Sequence, residues 1–289
     1  MGKVGFVGLG TMGGPMAGHL ATAGTDLVVW NRSPERTEPF ARRRIDIAPS
    51  LGELGSVCTT VILCVNRTED VRECLDTILP RVAPNTLFID HSTISPAATA
   101  EIHDEMRGKG HRFVDAPITG GSMGAQRGQL TIFCGGSEAD VHSAIGVIGP
   151  YSKRAERVGG PGAGQQMKVA NQIAVACALL GLCESLSFAK RAGLDVQQAK
   201  ELLGDGAAGS WAFDNYGPKI LNADWTPGFS IKNQVKDLGY CEESAKAIDA
   251  MIPGSLLTRD LLQRYIDAGK AELATAALFE ILLEAGFDS

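Results

Sequence analysis

Short apolar runs alternate with amphipathic stretches over roughly the first half of the chain. Most of the runs are continuous and are bounded by Gly, Pro, Asn or Asp, which is typical of strands covered on both faces. The runs predict strands at Val4–Val7, Leu27–Trp30, Val61–Val65, Leu87–Asp90, Arg112–Asp115, Leu130–Cys134 and Glu156–Val158. The helices predicted between them include Met12–Ala23, Pro34–Arg43, Pro96–Lys109 and Glu138–Ile148. This alternation predicts an α/β fold with a doubly wound sheet.

The pattern changes at a glycine- and proline-rich break, residues 159–164, and no convincing strand follows it. A long apolar helix is predicted from Gln165 to Ala192, and shorter helices at 196–203, 210–222, 230–250, 254–268 and 271–285. We therefore predict an α/β domain at 1–161, followed by an all-helical domain at 162–289 that the long helix joins to it. Since that helix is apolar on all sides, we expect it to be buried in a bundle or between subunits, as in a homodimer or homotetramer.

Composition narrows the classes of function. A net charge of −6 argues against a nucleic-acid or membrane-surface partner. Seven scattered cysteines without a C-x-x-C pair favour reduced thiols in the cytoplasm, and the histidine spacing predicts no metal site. The chain opens on a predicted strand rather than a signal peptide, and its most apolar run, Ile173–Cys183, is too short to span a bilayer.

The turn after the first strand has the G-x-G-x-x-G spacing. Gly8 allows a sharp turn, Gly10 leaves the backbone open to a pyrophosphate, and Gly13 lets the next helix pack closely. The helix N-terminus adds N–H groups and a partial positive charge. We therefore predict a dinucleotide-binding Rossmann domain, with the cofactor held by Gly8, Leu9, Gly10, Thr11, Met12 and Gly13. The alternative is a tight turn that binds no ligand.

The residues after the second strand bear on the choice of cofactor. An acidic residue here would bind the ribose hydroxyl of NAD and repel a 2′-phosphate, but the chain has Asn31-Arg32-Ser33. A guanidinium pairs well with phosphate. We predict that this segment binds NADP(H) preferentially, with NAD(H) as a second cofactor. The alternative is that Arg32 is a solvated loop charge.

Three further segments follow predicted strands, where ligands of open α/β sheets lie. Val65-Asn66 and Asp90-His91-Ser92-Thr93 are expected to border the cofactor. The second of these suggests a hydrolase triad, but consecutive residues of an extended segment point to alternate sides. Thr119-Gly120-Gly121 is either an anion-binding loop suited to a carboxylate or a glycine-rich hairpin without a ligand.

Two lysines on predicted helices are further candidates. Lys168, Asn171 and Gln172 are spaced to share one helix face. A buried lysine has a lowered pKa and exchanges protons near neutral pH, although spacing alone favours a surface lysine. For Lys236-Asp237 we expect a solvated face and no intrahelical salt bridge, since adjacent helix residues do not face each other.

Four motifs in order resemble those of the β-hydroxyacid dehydrogenases, which include 3-hydroxyisobutyrate dehydrogenase and tartronate semialdehyde reductase. The motifs extend over nearly the whole chain and are Gly5–Ala17, Asp115–Gly121, Gly162–Gln172 and Lys236–Leu238. The resemblance implies that Lys168 is the catalytic acid/base, assisted by Asn171 or Gln172. It also implies that Thr93 lies near the nicotinamide ribose and Lys236 near nicotinamide and substrate. Thr119, Gly120, Gly121 and Lys168 would contact the substrate.

Two departures accompany the resemblance. Thr119 replaces the usual Ser, and Gln172 stands where many members have Asn, so either Asn171 or Gln172 could contact the substrate. The implied activity is reversible, NADPH-dependent reduction of a small carboxylate-bearing aldehyde. The alternatives are a non-catalytic NADPH-binding sensor or scaffold and an imine reductase-like enzyme, and the presence of Lys168 argues against both.

Overall fold

A computed structural model describes residues 2–284 of the chain. Within this range the strands are β1 Val4–Val7, β2 Leu27–Trp30, β3 Asp46–Ile47, β4 Thr60–Leu63, β5 Leu87–Asp90, β6 Arg112–Asp115, β7 Ile118–Thr119, β8 Leu130–Gly135 and β9 Ser152–Gly159. They form one sheet in the order β3-β2-β1-β4-β5-β6-β8-β7, with β9 paired to β8. The chain packs as two compact units, one through Lys168 and one from Val169 onward, and the predicted boundary after residue 161 stays a prediction.

The helices of the first unit are α1 Gly13–Thr22, α2 Glu38–Arg42, α3 Leu51–Val57, α4 Thr68–Ile78, α5 Pro96–Gly108, α6 Gly121–Arg127 and α7 Glu138–Ile148. The boundary between the two units lies within α8, which spans Ala163–Arg191. In the second unit the helices are α9 Val196–Asp205, α10 Trp211–Asn215, α11 Gly217–Leu221, α12 Ile231–Ala247, α13 Pro253–Asp267 and α14 Leu278–Glu284.

The sheet confirms the predicted fold class. Pairing is parallel from β3 through β6, with the order reversing at β1, as in a doubly wound fold. β8 runs antiparallel to β6 and β7, an extension that the sequence pattern did not predict. The two-residue strands β3 and β7 were also missed, because so short a segment has no periodicity.

Alternate residues of the central strands feed two separate cores. Phe6 and Ile89 pack with α1 on one face, whereas Val7 and Phe88 pack with α3, α4 and α5 on the other. Side chains of successive strand residues point to opposite faces, so a sheet covered on both sides has continuous apolar strands. Burial of both faces holds the carboxyl ends of the strands in place, and the candidate cofactor residues of this unit follow those ends.

One predicted strand ends early and another begins early. The fourth strand ends at Leu63 rather than Val65, because the Val65 N–H donates to Ser92 Oγ instead of continuing the ladder. The last predicted strand begins at Ser152 rather than Glu156, and its first residues pair with β8 although they are polar.

In the second unit two of the predicted helices differ from those observed. The 210–222 helix is two helices, α10 and α11, since Pro218 in the first turn of α11 lacks the N–H that a continuous helix needs. The 271–285 helix begins only at Leu278, because Ala271 and Leu273 accept from the N–H groups that begin α12. Residue 285 lies outside the described residues.

α8 was expected to be buried in a helical bundle or between subunits, and the structure shows the first of these for part of the helix. Leu179, Leu182 and Leu186 enter the core of the second unit, but the side chain of Phe188 is 71% exposed. By length and composition α8 is the one helix among residues 2–284 that could cross a membrane, and half of its most apolar window is buried. The buried core helix of a globular protein has the same composition.

Candidate active site

The three glycines of the first turn are required for three different reasons. Gly8 has φ +95°, and a Cβ there would lie 2.2 Å from the Cys64 carbonyl oxygen. At Gly13 a Cβ would lie 1.9 Å from the Gly8 oxygen, so the helix packs directly on the turn. A Cβ at Gly10 would meet no atom within 4 Å. The open space at Gly10 is where a pyrophosphate could approach the backbone, so the turn fits a dinucleotide.

The N-cap residue of α1 provides no side-chain hydrogen bond to the first turn of the helix. Met12 occupies that position. The first N–H groups of a helix need partners, and an anion is a favourable one because the helix dipole is positive there. The roles of Thr11 and Met12 beside the phosphates stay predictions.

Asn31 connects the glycine turn to the segment after β2. Its Oδ1 accepts from the Leu9 N–H at 2.7 Å, and its Nδ2 donates to the Ser33 carbonyl at 2.9 Å. The amide therefore holds two predicted cofactor segments together, a role that the sequence did not indicate. The Arg32 side chain is 77% exposed, and its Nη1 lies 3.9 Å from Asp70 Oδ1. Its guanidinium lies in solvent, where it could pair with a phosphate.

The Asp-His-Ser segment does not form a triad. His91 is buried, its Nδ1 donates to the Ala116 carbonyl at 2.6 Å, and its Nε2 accepts from the Tyr151 hydroxyl at 2.8 Å. Burial lowers the pKa of His91 to about 4, so the ring is neutral at pH 7. Since both ring nitrogens are engaged, neither can take a proton from Ser92, whose Oγ accepts from Val65.

Lys168 is buried, contrary to the surface position that spacing alone favours. Its Nζ donates to the Ile118 carbonyl oxygen at 2.8 Å. Ile118 precedes Thr119, and the next residues, Gly120 and Gly121, have φ +123° and +64°, values that side chains rarely adopt. The loop leads from β7 into α6 rather than through a hairpin. The structure thus brings Lys168 beside the predicted carboxylate loop.

Two buried residues that the sequence did not single out fix the first turn of α8. Asp115 accepts from His103 Nε2 at 2.8 Å, from the Gly162 N–H at 3.0 Å and from the Gln165 N–H at 2.9 Å. The Gln165 side chain donates to the Ser92 carbonyl at 2.7 Å and accepts from the Ile94 N–H at 3.3 Å. These partners are far apart in sequence, so no local pattern reveals them.

In the second unit a buried carboxylate links the remaining candidates. Asp237 accepts from Gln172 Nε2 at 2.6 Å, and Gln172 Oε1 accepts from Asn171 Nδ2 at 2.9 Å. Lys236 Nζ lies 3.0 Å from Asp237 Oδ1 and 5.5 Å from the centre of the Tyr240 ring. The expectation that Lys236 and Asp237 form no salt bridge is wrong, because the long lysine side chain reaches back to its neighbour.

The remaining observations concern cofactors other than a dinucleotide. Among residues 2–284 no group of three or more His, Cys, Asp or Glu could hold a metal ion. All seven cysteines are free thiols, and most are buried. Asn66 follows β4, which pairs with the strand that carries the glycine turn, and Thr93 follows β5, the next strand in the sheet. The candidates of the first unit are backbone N–H groups and the Lys168 ammonium, and those of the second unit are the Asn171 and Gln172 amides and the Lys236 ammonium.

Two family models together match nearly the whole chain. Residues 3–160 match the family described as the NAD binding domain of 6-phosphogluconate dehydrogenase. Residues 162–282 match the family described as the NAD-binding of NADP-dependent 3-hydroxyisobutyrate dehydrogenase.

Individual relatives cover nearly the whole chain. It is 35% identical to the probable 3-hydroxyisobutyrate dehydrogenase-like 1, mitochondrial, of Arabidopsis thaliana, over 96% of this chain and 84% of that one. Identity to the 2-hydroxy-3-oxopropionate reductase of Escherichia coli K12 is 32%, over 97% of both chains. The solved structure of Mycobacterium tuberculosis 3-hydroxyisobutyrate dehydrogenase with L-serine is 30% identical, with a TM-score of 0.88 and coverage of 98% of this chain and 99% of that one.

Proposed function

Since the chain belongs to the β-hydroxyacid dehydrogenase family, we propose that it reduces a small carboxylate-bearing aldehyde to the corresponding hydroxy acid. It is an NAD(P)-dependent oxidoreductase, and the proposed substrates are of the semialdehyde or glyoxylate type, with the reaction reversible. One observation carries the proposal: Lys168 is buried, and its ammonium donates to the carbonyl that precedes Thr119. A proton donor therefore lies beside the loop proposed to hold the substrate carboxylate.

Lys168 is the proposed general acid. The reduced nicotinamide, when bound, supplies the hydride that the aldehyde carbon receives. As negative charge develops on the aldehyde oxygen, Lys168 Nζ donates a proton to it, and in the reverse direction it removes the proton of the hydroxyl. Its hydrogen bond to Ile118 O keeps the ammonium in a defined position before the reaction begins.

The carboxylate loop accounts for the proposed substrate size. The Thr119 hydroxyl and the N–H groups of Gly120 and Gly121 are proposed to bind the carboxylate, which fixes the reacting carbon relative to Lys168. The extra methyl of Thr119, compared with the usual Ser, narrows this pocket and favours short substrates.

The amides of α8 have different proposed roles. Gln172 donates through Nε2 to Asp237 and accepts through Oε1 from Asn171. Both ends of its amide are therefore hydrogen-bonded within the second unit. We therefore propose that Gln172 orients Asn171, and that Asn171 contacts the substrate or Lys168. Lys236, held by Asp237, is proposed to lie near nicotinamide and substrate, as the family resemblance implies.

NADP(H) is the proposed cofactor, with NAD(H) used less well. The glycine turn fits a pyrophosphate, and Asn31-Arg32-Ser33 offers an exposed guanidinium in place of the acidic residue that selects NAD. Val65, Asn66 and Thr93 are proposed to line the nicotinamide side.

For location and assembly we propose a cytoplasmic homodimer or homotetramer. Free cysteines suit a reducing compartment, and the exposed Phe188 on α8 suits a subunit contact. Size-exclusion chromatography with light scattering would measure the assembly, and a monomer at micromolar concentration would contradict it.

The proposed function is tested by a panel of aldehyde acids with each cofactor. Glyoxylate, tartronate semialdehyde and succinic semialdehyde are mixed with enzyme, and the absorbance of the reduced nicotinamide is followed. We expect at least one to be reduced, faster with NADPH than with NADH. Propionaldehyde, which lacks a carboxylate, is the matched control and should react far more slowly.

Two outcomes would contradict the proposal. NADPH binding without turnover of any panel member would favour the sensor or scaffold alternative. Reduction of a cyclic imine, but of no aldehyde acid, would favour the imine reductase alternative.

A further inference from the structure

Gln165 lies in the first turn of α8 with its side chain buried. It is 1% exposed, and both ends of its amide bind main-chain groups of the segment that follows β5. Nε2 donates to the Ser92 carbonyl and Oε1 accepts from the Ile94 N–H. Thr93 therefore lies in the chain between Ser92 and Ile94, the two residues whose main-chain groups Gln165 binds. Lys168 follows Gln165 by three positions, so their side chains project from the same side of the helix.

The same segment is tied to a second loop. The Ser92 carbonyl accepts from the Gln165 side chain. The Ser92 hydroxyl accepts from the Val65 N–H at 2.9 Å. A continuous chain of hydrogen bonds therefore runs from α8 to the ends of β5 and β4. Both ends belong to the proposed nicotinamide side of the cofactor site.

Asp115 holds the same turn of α8 from another direction. It accepts from the N–H groups of Gly162 and Gln165, so it fixes the helix backbone. Asp115 does not contact the segment at Thr93 through these bonds. Gln165 is the residue of this turn whose side chain bridges the helix and that segment.

We propose that Gln165 is a positioning residue that sets the distance between the Lys168 ammonium and the Thr93 segment. The inference rests on the proposed function, because it takes Lys168 as the acid and Thr93 as a contact of the nicotinamide ribose. Hydride and proton transfer to one carbonyl need both donors in place at once, and small misplacements reduce the rate strongly. Gln165 couples the two positions without contacting the substrate.

The test compares Gln165→Met with Gln166→Met. Methionine fills the volume of glutamine but makes neither hydrogen bond, whereas Gln166 is exposed and serves as the matched control. For Gln165→Met we expect the single-turnover rate of hydride transfer to fall about 10- to 100-fold, with a smaller change in the KM for NADPH. Amide exchange at Ser92–Ile94 should accelerate in the protein without cofactor. Gln166→Met should match the wild type in both measurements.

A second variant separates positioning from folding. Gln165→Glu retains the acceptor for the Ile94 N–H but, when ionised, cannot donate to Ser92 O, so its rate should lie between those of wild type and Gln165→Met. A wild-type hydride-transfer rate in both variants, with wild-type exchange at Ser92–Ile94, would overturn the inference. A wild-type enzyme that reduces no aldehyde acid would overturn the proposed function instead.

Discussion

The glycine turn at 8–13 and the start of α8 belong to the same unit but are built by opposite means. The turn depends on absent side chains, since a Cβ at Gly8 or Gly13 would collide with main-chain oxygens. The start of α8 depends on buried polar side chains, with Asp115, Gln165 and Lys168 all hydrogen-bonded to main-chain groups. Backbone N–H groups suffice to bind a phosphate, whereas proton transfer needs a side chain whose position is fixed.

This contrast predicts that changes at the two regions damage different steps. At the start of α8, chemistry should be lost while the cofactor still binds. At the turn, cofactor binding should be lost first.

Lys168→Ala should have the largest effect. Loss of a general acid typically reduces the rate by about 10²–10⁴-fold, and we expect turnover to fall by at least that range. Binding of NADPH, measured by the fluorescence of the reduced nicotinamide, should remain close to that of the wild type. Turnover within about threefold of the wild type would remove Lys168 from the proposed chemistry.

A control for this prediction is available in the second unit. Lys232 lies on α12, and its ammonium forms an ion pair with Glu272 at the surface. Lys232→Ala removes an equal charge from an exposed ion pair and should leave turnover unchanged.

Acid should destabilise the fold through His91. Its pKa is about 4 in the folded chain, against about 6.5 when unfolded, so the unfolded chain binds the proton more readily. The contribution of the neutral His91 to the free energy of unfolding is therefore fully present above about pH 6.5. It is lost as the pH falls toward about 4, and the loss amounts to up to about 3 kcal/mol. Urea unfolding at a series of pH values measures the loss.

His91→Gln removes the titrating ring and is the informative comparison. Its stability should be lower than that of the wild type at pH 7, and it should fall less between pH 6.5 and pH 5. Parallel losses in the two proteins would show that other groups, such as buried carboxylates, cause the acid sensitivity.

Two alanine substitutions test the turn itself. At Gly13 a Cβ would lie 1.9 Å from Gly8 O, so Gly13→Ala should lower the free energy of unfolding by about 1–3 kcal/mol. A Cβ at Gly10 meets no atom, so Gly10→Ala should fold with wild-type stability yet bind NADPH more weakly. Thermal unfolding and cofactor titration of both variants distinguish the two roles. Wild-type NADPH affinity in Gly10→Ala would contradict the placement of the pyrophosphate.

The sequence predicted features whose signal is local. The spacing of Gly8, Gly10 and Gly13 identifies the turn, and the apolar runs identify β1, β2, β5 and β6 to the residue. It did not predict contacts between distant positions, such as Gln165 with Ser92 or Gln172 with Asp237. The helix predicted at 271–285 failed for the same reason, because hydrogen bonds to the start of α12 hold residues 271 and 273 out of the helix.

Arg32→Ala should have the smallest effect. It tests whether the Arg32 side chain contributes to cofactor binding beside the backbone of the glycine turn. Its guanidinium is exposed, so solvent weakens any phosphate contact, and we expect the preference for NADPH over NADH to fall about tenfold. The ratio of kcat/KM for the two cofactors measures it. Arg42→Ala, at a comparably exposed arginine on α2, should leave that ratio unchanged. An equal ratio in wild type and Arg32→Ala would mean that the turn binds the dinucleotide through its backbone while the guanidinium has no part in the choice.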